Sequence, residues 1–230
     1  VLDSELPERY QLKIGTKSVL IGAHCFVLHP WFVAAAWWKL FGFPFDPRLW
    51  VAFAVHDLGY IGKPNMDGPE GETHVELGAR IMEFFFGRKW GDFSRYHSRF
   101  YAKRDGVTPS RLCIADKLAI AMTPAWLYLP MVRATGEIHE YMALAKKRNL
   151  AGEGNKYVHM NLRTSDQREW YADVQRYVFR WVQEHKDGRE DTWTPDARKL
   201  KSDSGVYCAT PDNPAKPDGC RTLWVRDNSR

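Results

Sequence analysis

Apolar residues recur at three- and four-residue spacing through the first two thirds of the chain. The clearest runs are Trp31-Val33-Ala34-Trp37-Trp38, Leu49-Phe53-Val55 and Val75-Leu77-Ile81-Phe84-Phe85. A period near 3.6 is what one face of an α-helix needs to meet a core. Short breakers divide the runs: Gly42 to Pro47, Gly62 to Gly71, and Gly87. Strand-like alternation is nearly absent, so the pattern predicts an all-α fold. Asp46-Pro47 sets an N-cap carboxylate before a first-turn proline and predicts a helix start. Thr73 followed by Glu76 matches a capping box and predicts a helix from His74. Thr108-Pro109 predicts the opening of a helix that runs through Asp116. Farther on, residues 166–184 place Trp170, Val174, Tyr177, Val178 and Trp181 on one helical face. From about Asp187 the composition turns to Pro, Asp, Lys, Ser and Gly. These shifts divide the chain into a helical domain over residues 1–150, a helical segment packed on it over 151–186, and a loop-rich tail over 187–230. Trp193, Tyr207 and Trp224 are the aromatics through which that tail would dock.

Residues 18–38 contain no Asp, Glu, Lys or Arg over 21 positions, nominally enough to cross a bilayer. His24, His29 and Pro30 interrupt the run, and a second uncharged stretch, 118–132, is too short to span. Both are expected to be buried helix lining a polar site, with no membrane contact. No charged, short-apolar and cleavage-site succession marks a signal peptide. Four cysteines without metal-ligand spacing do not make a disulfide framework. Cys25 and Cys113 are expected as small buried apolar groups; Cys208 and Cys220 flank a loop, and their pairing stays open. A reducing cytoplasm is the expected location. The net charge of +5 favours anionic partners, weakly, and part of the excess belongs to the C-terminal region. Ten tryptophans among the aromatics suit thick helix–helix cores or a stacking pocket, to which Tyr101, Trp126 and Tyr128 are candidates, with core packing preferred.

The chemistry begins at Ala54-Val-His-Asp-Leu-Gly59. An adjacent His56-Asp57 pair at the end of an apolar helix offers one nitrogen ligand and one carboxylate able to bridge two cations. The dipeptide alone carries little weight. It gains weight from His24 and His29 upstream and from His74, His97 and Asp116 downstream, most of them in apolar, helix-like surroundings. Unpaired polar side chains are costly there, and shared metals give them a common purpose. His139, His159 and His185 stand outside the pattern and are expected to be structural or exposed.

These residues resemble the HD superfamily of metal-dependent phosphohydrolases, in its two-metal branch. The similarity covers roughly residues 15–135. It follows the order His29, His56, Asp57, His74, His97, Asp116, with His74-Val-Glu-Leu-Gly-Ala and Ala115-Asp-Lys117 as supporting text. It implies an HD-domain helical bundle with an irregular C-terminal extension. His29, His56, Asp57 and Asp116 would hold one metal, and Asp57 would bridge to a second completed by His74 and His97. His29 is preferred to His24 as first ligand because its distance from the pair fits the family better. His24 is then a pocket residue, and the reversed assignment stays open. Two positions depart from the family pattern. Ser98 stands where HD-GYP proteins carry a further His, which argues against a third metal. Tyr60 stands where a Lys is usual, and Lys63 follows three residues later.

The resemblance implies hydrolysis of a phosphomonoester or phosphoanhydride, most plausibly of a nucleotide, by hydroxide activated between two cations. Asp57 and Lys63 are the catalytic candidates. Lys63, Arg99, Lys103, Lys117 and His24 are candidates for substrate contact. Mixed His/carboxylate ligation suits Fe or Mn, with Mg, Co, Ni and Zn as further options. The loop from Lys63 to Gly71 would form one wall of the site, with Asp67 and Glu70 as turn-formers. The partner expected is a phosphorylated small molecule; nucleic acid is not expected, and a homo-oligomer stays open. Two competing readings use the same residues. One is an HD-type di-iron oxygenase acting on an inositol- or phosphonate-like substrate. The other is a non-catalytic binding module.

Overall fold

The computed structural model describes residues 12–150, 161–191 and 193, all within one compact unit. The fold is all-helical, and no strand occurs among the described residues. The helices are α1 (Ile14–Ile21), α2 (His29–Phe41), α3 (Pro47–Val55), α4 (Val75–Phe86), α5 (Arg88–Arg95), α6 (Arg99–Asp105), α7 (Arg111–Met122), α8 (Ala125–Thr135), α9 (Glu137–Leu150) and α10 (Gln167–His185). Two single 3-10 turns, Leu58–Tyr60 and Gly71–His74, lie between α3 and α4. The tail beyond Trp193, with Tyr207, Cys208, Cys220 and Trp224, lies outside the described residues, as does His159.

Helix α7 is the axis of the fold. Leu112, Cys113, Ile114, Ala115, Asp116, Leu118, Ala119 and Ala121 are all buried, and they leave almost no polar face. A helix apolar all round must be covered all round. Helix α2 packs on one side of α7 and α10 on another. Phe53, Trp37, Met82 and Trp181 fill the space between these layers. Each such large side chain contributes roughly 1.5–3 kcal/mol by leaving water. The end of α7 is met by α10: the Tyr171 hydroxyl lies 2.7 Å from both Ile120 O and Thr123 O, sharing its one proton between them, and Gln175 Nε2 donates to Ala121 O at 2.9 Å. A second cluster joins Tyr128, Leu129, Val132 and Ile138 of α8 and α9 to Trp170 and Tyr171 of α10.

Several local expectations are met and several corrected. Asp46 caps α3, its carboxylate accepting from Arg48 N at 2.9 Å, and Asp166 caps α10 in the same way. Cys25 and Cys113 are buried free thiols, and Trp193 is buried against the core. The Thr73–Glu76 capping box does not form. The α-helix starts at Val75, and Thr73 Oγ1 donates instead to Glu70 O at 2.7 Å. The 3-10 turn that precedes α4 has taken the residues the box needs. The helix expected from Thr108-Pro109 starts later, at Arg111, where Ser110 Oγ accepts from Cys113 N.

The two uncharged stretches are not continuous buried helices. Residues 18–38 break at Gly22–Leu28, and Trp31 and Trp38 lie on an exposed face. Residues 118–132 break at Thr123-Pro124, and α7 and α8 meet at 100°. No single helix among the described residues is long and apolar enough to cross a membrane.

Candidate metal centre

Five of the six predicted ligands lie at helix ends, where a side chain can reach past the helix barrel; Asp116 alone sits mid-helix, in α7. His29 opens α2, His56 follows the last residue of α3, and Asp57 comes next. His74 ends the 3-10 turn before α4, and His97 occupies the turn between α5 and α6. Two glycines let these ends converge. A Cβ at Gly59 would lie 1.8 Å from His74 O, and one at Gly78 would lie 2.7 Å from Val55 O and 2.9 Å from the His56 Cα. Only hydrogen fits where the turn after the His-Asp pair crosses His74, and where α4 crosses the end of α3.

All six side chains are buried, and they form two groups that share Asp57. In the first, His29 Nε2 lies 3.0 Å from Asp116 Oδ1 and 3.4 Å from Asp57 Oδ2, and His56 Nε2 lies 3.0 Å from Asp57 Oδ2 and 3.8 Å from Asp116 Oδ1. In the second, Asp57 Oδ1 lies 3.7 Å from His74 Nε2 and 3.4 Å from His97 Nε2. A cation about 2.1 Å from each ligand puts neighbouring ligand atoms about 3.0–3.4 Å apart. Most of these spacings fall in or near that range. His29, rather than His24, is the histidine the structure brings into the first group.

The hydrogen bonding tests whether metals fit. His56, His74 and His97 each place Nδ1 on the carbonyl three residues earlier, Phe53 O at 3.0 Å, Gly71 O at 2.7 Å and Ser94 O at 2.5 Å. A carbonyl can only accept, so Nδ1 carries a proton and Nε2 is the nitrogen turned inward, where it offers a lone pair to a cation once any proton on it is displaced. His74 Nε2 and His97 Nε2 then face each other at 3.0 Å. His56 Nε2 and Asp57 Oδ2, both buried, have no hydrogen-bond partner. Acceptors converging on acceptors in a dry interior are unfavourable until a cation, or a proton, sits among them. The donor set fits bound metal.

Electrostatics divides the histidines: His74 and His29 are lowered, whereas His56 is raised. Burial and the charge of His97 hold the His74 imidazole well below its ordinary range, which keeps it neutral. Burial and the neighbouring His56 also lower His29, despite Asp116. Burial would raise both aspartates. For Asp57 the charges of His56 and His24 outweigh it, and for Asp116 the Lys117 ammonium does, so both stay well below the carboxylate range. Burial opposes a charged His56, but the Asp57 carboxylate and Asp116 push it up to about 10; that proton is what a cation there would displace.

The remaining predicted residues are spread out. Lys117 Nζ lies 3.0 Å from Asp116 Oδ2, which leaves Oδ1 facing His29. Lys63 Nζ donates to Thr73 Oγ1, the residue before His74, at 2.5 Å in an exposed bond. Arg99 and Lys103 point elsewhere: Arg99 donates to the Tyr177 hydroxyl at 2.6 Å over the Trp181 ring, and Lys103 Nζ donates to Asp191 O at 3.0 Å. They tie α6 to α10 and the segment behind it. The Lys63–Gly71 loop is pinned by Glu140, which accepts from Met66 N and Asp67 N, both at 2.9 Å. Tyr128 stacks on Tyr171 in the core, Tyr101 is buried beneath Arg104, and Trp126 is exposed. His185 stacks on Trp181 and His139 is exposed.

Both departures from the HD pattern have local jobs. Tyr60 lies flat on the His74 ring, centroids 4.0 Å apart, and holds it. Ser98 caps α6, accepting from Tyr101 N, and reaches Glu72 Oε2 at 3.4 Å. Glu72 itself was not picked out by sequence. Burial and the charge of Asp67 push it up to about 7. Glu137 was also missed: it reads as an ordinary first-turn acid of a polar helix, yet it is fully buried. His24 stands in the same cleft as His29, His56 and Asp57.

Comparison with known proteins finds no match: no family model, no curated protein and no solved structure. The class is therefore defined by fold and site alone, an all-helical protein with a buried His/Asp cluster able to hold metal.

Proposed function

We propose that this chain is a metal-dependent phosphohydrolase of the HD kind, cleaving a phosphomonoester or phosphoanhydride, with nucleotides as the substrate class. One observation carries the reading: the two oxygens of Asp57 face two separate buried histidine groups, the arrangement a bridging carboxylate requires. Two divalent cations held there would act as Lewis acids on a phosphate oxygen and on water. Four neutral histidines and two carboxylates leave such a pair with about two positive charges uncompensated, a field suited to an anionic phosphate. Fe and Mn suit the mixed nitrogen and oxygen donors. Among the chain's own groups, Lys117 holds Asp116 in its orientation, and Lys63 is the flexible cation proposed to meet substrate oxygens.

The test is metal analysis of the purified protein, followed by a nucleotide panel with Mn²⁺ or Fe²⁺, reading phosphate release and O₂ uptake together. Two metal equivalents and metal-dependent phosphate release are expected. Oxygen uptake without phosphate release would replace hydrolysis by the di-iron oxygenase chemistry that the same ligands allow. Salt-dependent nucleic-acid binding with no turnover would favour a binding module.

A further inference from the structure

Helix α2 is apolar on almost every side, and only part of it is covered. Val33, Ala36 and Trp37 pack into the core, and His29 joins the His/Asp cluster. Leu28, Trp31, Ala35 and Trp38 recur at three- and four-residue spacing along the other side, and all are exposed. Trp31 is 65% exposed and Trp38 62%. In a globular protein a helix that is apolar all round is ordinarily buried. Here the segment after α2 widens the bare face, because Phe43 is exposed as well and Phe45 is 85% exposed. Phe26 and Val27, just before α2, extend it at the other end. Phe26 N donates to Val19 O at 2.9 Å, which ties the end of α1, with exposed Leu20 and Ile21, to this segment.

The exposed rings are held in place. Phe43 meets Trp38 at 5.6 Å and Phe45 at 4.8 Å, and Trp50 meets Trp31 at 5.7 Å. Trp50 Nε1 donates to Pro44 O at 2.9 Å, which pins the aromatic loop to the first turns of α3. Large rings ordered at the surface in this way form a patch far larger than scattered apolar side chains need.

The charges around the patch select its partner. Residues 12–45 contain no Asp or Glu, and their charged side chains are Lys13, Lys17 and Lys39. The first acid, Asp46, is engaged by Arg48, whose Nη2 lies 2.7 Å from its Oδ2. An aromatic and aliphatic face bordered by cations matches the boundary between anionic headgroups and acyl chains. Trp and Phe settle at that boundary, and Lys reaches the lipid phosphates. A second copy of the chain fits less well, because a two-fold contact would set this cationic border against itself. With 13 residues, α2 is too short to cross a bilayer and would lie along its surface.

We propose that the outward side of α2, with the aromatic loop that follows it, docks the protein on an anionic lipid surface. The expectation of no membrane contact assumed that residues 18–38 are buried, and the outward side of α2 is not. The docking is independent of the phosphohydrolase reading and needs no metal.

Flotation of the full chain with vesicles tests it, comparing pure phosphatidylcholine with equal parts phosphatidylcholine and phosphatidylglycerol. The wild type should float with the anionic vesicles, less with the neutral ones, and less again as salt rises. Trp31→Ser with Trp38→Ser should lower the partition coefficient roughly ten- to hundredfold. An unchanged circular-dichroism spectrum and Tm would show that the fold is kept. Lys39→Glu, which leaves the apolar face intact, should weaken binding to anionic vesicles and leave the neutral ones unchanged. Wild-type protein that floats with neither vesicle would overturn the proposal, as would binding untouched by the tryptophan pair. A dimer in gel filtration that the tryptophan pair dissociates, with no flotation of the wild type, would assign the face to a second copy instead.

Discussion

Asp57 is the side chain shared by the two groups that could hold metal, and its two oxygens face different histidines. Asp57→Ala is expected to abolish both sites, whereas His74→Ala should empty mainly the second, as read by metal analysis after gel filtration. Two full equivalents retained in Asp57→Ala would refute the bridge. Lys117 touches only the outer oxygen of Asp116. Its removal should weaken the first site by about 10- to 100-fold, the usual effect of losing a group that orients a ligand. A metal titration showing no change would mean that Asp116 is held by its backbone and packing alone. At this scale the sequence was informative about which histidines and aspartates gather in one buried cluster, because their order and spacing pointed to a shared site. It said nothing of Glu137 or Ser18, whose roles depend on meeting each other across more than a hundred residues.

At the scale of elements, the helix ends carry the site, so changes there should reach the metals without touching a ligand. Gly78→Ala puts a methyl group against the backbone of Val55 and His56, where neither neighbour can rotate away. Loss of second-site metal and a lower Tm are expected; normal metal content at both sites would show that α4 can shift without cost. Ser110→Ala removes the cap of the helix that carries Asp116 and should cost about 1 kcal/mol, read from denaturant unfolding. The periodicity of α2, α3, α4 and α10 was legible because each has one covered face. The start of α4 was not. Thr73 and Glu76 have the right spacing for a capping box, but the turn from Gly71 to His74 is needed to aim His74 inward, and it spends Thr73 on Glu70 O. Local capping preference, worth about 1 kcal/mol, yields to a tertiary demand of this kind. The long uncharged stretches misled in the same way, since a lack of charge does not show where a helix breaks.

For the whole molecule, stability should depend on metal and on acid. Each site saturated at a hundredfold over its Kd adds about 2.7 kcal/mol. At about 2–4 °C per kcal/mol, two sites raise Tm by roughly 10–20 °C. Thermal melts with chelator and with Mn²⁺ measure this, and coincident curves would mean that the cluster does not bind the ion. Glu137 adds an acid limb. Burial would raise its carboxyl, but the nearby His24 imidazole and the hydrogen bonds from Ser18 and Thr135 hold it below 4.5. A group lowered on folding contributes stability that is complete above its unfolded value and is lost as pH falls through the folded one. Stability should therefore decline below about pH 4.5 on this account. Glu137→Gln, with an amide donor facing donors, should be less stable at neutral pH by about 1–3 kcal/mol and should flatten that acid limb. An unaltered acid slope in Glu137→Gln would assign the decline to other carboxylates.

The sequence by itself determined that the chain is helical and which six side chains could serve as ligands, since both follow from short-range period and residue chemistry. It also placed the His-Asp pair correctly at the end of an apolar helix. Only the tertiary structure decided the choice of His29 over His24 and the division of Asp57 between two groups. It also turned Arg99 and Lys103 toward α10 and formed the buried contact between Ser18 and Glu137. Those outcomes depend on where helix ends cross and on what shares a dry interior, and neither distance nor burial is written in the spacing along a chain.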